Sequence, residues 1–204
     1  MHPFTTVRGA ITTAFVLAIV ISLIITGAAT DWSGIGFHHH LVDRWLHIVA
    51  GVMWIGLLWY FNVVQTPGMA DAAADKGGPG GAGVNKYIAP RALWWFRWAA
   101  VFTWLTGAYY LLFGYGGTPV MHKAFTFQPG FVTIGVGAWL GTIMLFNVWV
   151  FIWPNQKKIL GIVAATDDEK VKARKVALYA SRTNFILSIP MLMCMGGQSH
   201  GLPF

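Results

Sequence analysis

WLHIVAGVMWIGLLWYFNVV, residues 45–64, contains no Asp, Glu, Lys or Arg, and only His47 and Asn62 interrupt its apolar run. At about 1.5 Å per residue, a helix of that length reaches about 30 Å, the thickness of a bilayer's hydrocarbon core. The stretch therefore predicts a transmembrane helix. Residues 10–29, 98–117 and 131–153 are apolar over similar lengths and predict three more. The last apolar stretch, 183–197, is short and holds Pro190, so it crosses only as the end of a longer helix that begins in the basic region near Val171, giving a span of about 175–197. Residues 10–29 follow Arg8 and end on Gly27, Ala28 and Ala29, as a signal peptide would, but a chain beginning at Met1 favours a retained span.

The expected fold is an all-α integral membrane protein, residues 1–204 forming a single membrane domain with a bundle of about five transmembrane helices. Composition agrees. The chain is 56% hydrophobic and 10% charged, where a soluble domain carries about 25% charged residues. Eleven tryptophans and fourteen phenylalanines suit membrane interfaces better than a small aqueous core. The net charge of +7 lies between apolar spans and not on a soluble basic face, so no nucleic-acid partner is expected. The single cysteine, Cys194, excludes an internal disulfide, and no Cys-x-x-Cys-His motif exists for covalent haem. Residues 67–83, rich in glycine around Lys76-Gly77-Gly78-Pro79, read as a loop and lack the Gly-Lys-Ser/Thr ending of a phosphate cradle.

Lysine and arginine give the orientation. Twelve of the fourteen, including Arg8, Lys76, Arg97, Lys157 and Arg182, fall on one side of the spans; only Arg44 and Lys123 fall on the other. By the positive-inside rule the amino terminus is cytoplasmic and the carboxyl terminus periplasmic, in a bacterial inner membrane. His38, His39, His40, His47, His122 and His200 then gather toward the outer face.

His47 is the strongest single candidate, because an ionisable group at membrane depth is costly. At about 100° per residue, His47, Gly51, Trp54, Leu58, Asn62 and Gln65 share a stripe about 80° wide. A small residue, Gly51, one turn from a histidine leaves room for a flat cofactor such as haem, with Trp54 beside it. The alternative is a hydrogen bond from His47 to a neighbouring helix. His200 and His122 each follow a span and are candidate second ligands to iron, or else solvated loop histidines. Met191, Met193, Cys194 and Met195 offer sulfur, but diverge around a helix and read as packing. Gly137 and Gly141 fit a small-xxx-small helix contact. Arg97, Asn147, Arg182 and Asn184 lie at or near cytoplasmic span ends, where they cap helices, snorkel or, with Asn62, form a polar site.

Several stretches together resemble the membrane domain of the bacterial membrane-bound urate hydroxylases, the urate oxidase amino-terminal family. They are Arg44-Trp45-Leu46-His47 with Gly51 to Gly56, Trp95-Phe96-Arg97-Trp98 with Thr103 to Gly107, Asn147-Val148-Trp149 running to Lys158, and Ser181-Arg182-Thr183-Asn184 leading to His200. The resemblance implies an integral membrane oxidoreductase module passing electrons toward c-type cytochrome. Longer members continue into further membrane helices and a cytochrome c domain; this chain ends at Phe204 and is expected to be a short stand-alone form. The second span is also similar to those of four-helix b-type cytochromes and copper-resistance proteins, which implies non-covalent haem b at His47. Three readings follow: a haem b redox module exchanging electrons with a c-type cytochrome or respiratory complex, a cofactor-free accessory subunit of a larger membrane complex, and urate oxidation itself.

Overall fold

A computed structural model describes residues 5–30, 32–33, 35–114 and 118–203. It is 82% helical, with no strand among the described residues. The chain falls into two compact units, Met1–His38 and His39–Phe204. Among the described residues the first contains α1 (Val7–Thr30), uncharged after Arg8 and ending where Gly27 lets the Trp32 ring lie against the helix, 2.5 Å from where a Cβ would stand.

The second unit is built on α2 (His39–Trp59), α4 (Ala89–Tyr109), α6 (Val132–Phe146) and α8 (Asp167–His200), joined by α3 (Thr66–Ala74), α5 (Met121–Phe125) and α7 (Trp153–Ile159). α2 packs most extensively on α4, and α6 on α8, while lesser contacts of α4 with α6 and of α2 with α8 close the four into a bundle. Trp54, Leu58, Phe96, Ala100, Met144, Val148 and Met191 form the buried centre. A smaller cluster of Leu111, Val120 and Ala124 seats α5 against α6.

π-helical turns extend three of the four bundle helices: Tyr60–Gln65 after α2, Tyr110–Gly114 after α4 and Asn147–Ile152 after α6. Two of them lead directly into a proline, Pro67 or Pro154, at the start of the next helix. Proline lacks an N–H and its ring pushes away the carbonyl four residues back; a widened turn absorbs both effects without breaking the rod. α8 runs unbroken through Pro190. Its start is a capping box: Glu169 N–H donates to Thr166 Oγ1 at 3.3 Å and Thr166 N–H to Glu169 Oε2 at 2.8 Å.

Among the described residues four helices are long and apolar enough to cross a membrane: Val7–Thr30, His39–Ala74, Val132–Ile159 and Asp167–His200. The expected span 98–117 lies on α4 and the π-turn after it, with residues 115–117 outside the described residues. That helix is not one of the four; its tryptophans and tyrosines are large and amphipathic, and dilute its apolar character. A second difference concerns residues 67–83, read above as a loop. Residues through Ala74 are helical: Pro67 suits a first turn and Ala70, Ala72, Ala73 and Ala74 are the strongest helix formers, so the loop begins only at Asp75.

Candidate functional site

One end of the bundle encloses a cavity of about 560 Å³, within the range of about 300–1,000 Å³ typical of small-molecule and cofactor sites. α2 contributes His47 and Trp54, α4 contributes Thr103, Trp104 and Gly107, α5 contributes Met121 and Phe125, and α8 contributes Met191, Met195, Gln198 and His200. The walls are mainly aromatic and aliphatic. A second, nearly apolar hollow of about 310 Å³ adjoins it, lined by His47, Gly51, Trp54, Thr103, Met191 and Met195 among others.

The His47 ring is held by α4. Its Nδ1 lies 2.8 Å from the Thr103 carbonyl and 3.3 Å from Thr106 Oγ1. A carbonyl only accepts, so Nδ1 carries the proton and donates. In the neutral ring Nε2 then carries the lone pair, the tautomer an imidazole needs to ligate a metal. The Thr103 carbonyl is fixed in turn by the α4 backbone, while Thr103 Oγ1 donates to Ala99 O at 2.7 Å. Gly107 completes the seat. A Cβ there would stand 2.8 Å from His47 Cε1 and 3.2 Å from Nδ1, so only glycine lets the ring lie this close to α4.

His200 is the last residue of α8 and stands at the exposed edge of the same cavity. Gly201, at φ 83°, ends the helix directly after it, a left-handed conformation that glycine adopts without strain. Gln198 fixes this end of α8. It accepts from the Ile134 N–H at 3.0 Å and donates to the Gly130 carbonyl at 3.0 Å, satisfying a first-turn amide of α6 that has no partner within its own helix. Trp104 Nε1 donates to Thr142 Oγ1 at 2.9 Å, tying α4 to α6 beside the cavity. Glycine supplies space on α6: Gly137 meets Cys194 and Met195 of α8 as a close helix contact, whereas Gly141 faces no atom within 4 Å and lines the cavity.

Residues 117–204 match the family described as urate oxidase N-terminal. The match covers less than half of the chain and is a likeness of that segment to the family. No curated protein and no solved structure matches the chain. The matched segment carries α5 to α8, with His122, Asn147, Arg182, Asn184 and His200; His47, Gly51 and Trp54 lie before it.

The candidate residues separate into groups. His47, Trp54 and His200 line the main cavity, and Gly51 lines the adjoining hollow, 3.7 Å from Thr103 Cγ2. His122 sits exposed on α5 and does not line the cavity, although its neighbour Met121 does. Trp54 is buried, and its indole N–H has no hydrogen-bond partner.

Asn62, Asn147 and Asn184 are buried and paired within the bundle. Asn62 Nδ2 donates to Leu58 O at 2.8 Å and Ser181 Oγ at 2.9 Å; Asn147 Nδ2 donates to Asn184 Oδ1 at 2.8 Å, and Asn184 Nδ2 to Met144 O at 2.9 Å. Arg97 stacks on the Trp153 ring at 3.7 Å, and Arg182 is exposed on α8. Four contributors are not among the candidates drawn from the sequence: the Thr103 carbonyl, Gly107 as the floor under the imidazole, Gln198 and Arg44. Backbone acceptors leave no sequence signal; Gln198, two residues before His200, stood in plain view.

Proposed function

We propose that this chain is a membrane redox module that would hold one haem b in the cavity of its second unit, with His47 and His200 as the residues that would bind its iron. The observation that carries this reading is the His47 imidazole: Nδ1 is committed to the Thr103 carbonyl and Nε2 is left free beside a cavity that also reaches His200. The donor set, two imidazoles among mainly apolar side chains, suits iron in a porphyrin. Cavity volume and lining agree with a flat, mostly apolar group. When bound, haem supplies a one-electron iron couple. The protein's own part is to fix the imidazole tautomer through Thr103, to position the α8 end through Gln198, and to keep water from the ring with Trp54, Trp104 and Phe125.

In this reading the helices cross the bacterial inner membrane with the cavity end outward, as the distribution of lysine and arginine favours. Electrons then exchange with a c-type cytochrome or a respiratory complex at the periplasmic surface. The test is a reduced-minus-oxidised visible spectrum of the full chain purified in mild detergent. A b-type spectrum is expected for the wild type and its loss for His47→Ala; a wild type without one, or a variant that keeps it unchanged, refutes the assignment.

The family match favours a second reading, urate oxidation, since urate is planar and could occupy the same cavity. Urate-dependent reduction of cytochrome c by membranes with and without this chain separates the two: a rate that depends on the chain supports urate oxidation, and equal rates exclude it.

A further inference from the structure

Among the described residues, Arg44 is the one of permanent charge that lines the main cavity. It stands on α2 three residues before His47, hence on the same side of that helix, and its own side chain is exposed at the cavity's edge. The ion pairs among the described residues, Lys158 with Glu169 and Lys170 with Asp167, do not involve it. Neighbouring Asp43 is buried and does not pair with it. The other polar groups of that edge are Gln198, already bonded to α6 and its preceding loop, with Ser199 and His200.

A mainly apolar cavity whose one permanent charge is a cation at its edge, outside the ion pairs above, complements a molecule with an apolar body and an acid group at one end. We propose that Arg44 binds a carboxylate of the cavity's ligand and so decides which way round that ligand lies. The inference rests on the haem reading, in which the carboxylates are the two propionates of an otherwise apolar ring. A guanidinium meets a carboxylate through two parallel N–H···O bonds, which fixes orientation as well as adding affinity. A phospholipid headgroup offers the same anionic oxygens, so the test must tell an acid on the ligand from an acid on the lipid.

Full-length apoprotein in uncharged detergent, with no lipid added, is titrated with haem b and with its dimethyl ester, following the absorbance of the bound ring. The wild type is expected to bind haem about tenfold more tightly than the ester, the effect of one charge-assisted pair. Arg44→Ala removes that preference, and Arg44→Lys, which keeps the charge without the fork, retains part of it. Equal binding of the two porphyrins by the wild type overturns the role of Arg44 and leaves the haem site standing; so does a preference that survives in Arg44→Ala. Stabilisation of the wild type over Arg44→Ala by anionic phospholipid, with the porphyrins bound alike, assigns Arg44 to the lipid and overturns the proposal. Binding of neither porphyrin overturns both this inference and the haem reading.

Discussion

The two ends of the bundle use polar side chains in opposite ways. At the end of Asn62, Asn147 and Asn184, side-chain amides answer one another or a backbone carbonyl, and each lies where a π-turn widens a helix or where α8 crosses it. At the other end His47 commits one ring nitrogen to Thr103 and offers the second to a cavity. Polar groups at membrane depth are expensive unless satisfied. The first set is satisfied from within and therefore reads as a lock between helices; the second is half satisfied and therefore reads as a binding group. Burial alone does not separate the two, but the list of partners does.

This contrast can be broken by substitution. The largest effect on stability is expected for Asn184→Leu, which orphans Asn147 Nδ2 and removes a donor from the Met144 carbonyl. Leaving buried groups unpaired costs about 1–3 kcal/mol each, so thermal unfolding in detergent, followed by circular dichroism, should move down by several degrees. Haem affinity should stay within about twofold. Gly107→Ala acts at the other end. Its new methyl meets the His47 ring at 2.8 Å, and overpacking of that kind costs about 1–3 kcal/mol; displaced imidazole should weaken haem binding about tenfold by titration, with a fall in unfolding temperature smaller than that of Asn184→Leu. Gln198→Ala should have the smallest effect. It frees the Ile134 amide and Gly130 carbonyl, at about 1 kcal/mol, and loosens the α8 end, so a shift in the haem spectrum is expected with haem still bound.

Much of the fold was legible because helix length and apolarity are local properties. The stretch 45–64 and the join of the basic region near Val171 to Pro190 both read as long helices, and α2 and α8 are long helices. Residues 67–74 do not read so, because the glycine and proline near Lys76 signal a loop more strongly than the alanines that carry α3 signal a helix. His47 was legible as a candidate since an ionisable residue interrupts an apolar run. Its partner was not, because the Thr103 carbonyl is backbone and any residue presents one. His122 and His200 looked equivalent in sequence. The structure separates them by the direction of α5 and by Gln198, which holds α8 so that His200 lines the cavity.

The most direct test compares the two ends within one experiment: haem content per folded chain, by pyridine haemochrome, for the wild type, His47→Ala and Asn184→Leu purified in parallel. The account predicts about one haem b per chain in the wild type and in Asn184→Leu, the latter on a less stable fold, and none in His47→Ala on a fold of unchanged helicity. Haem absent from the wild type, or held equally by all three, would contradict it.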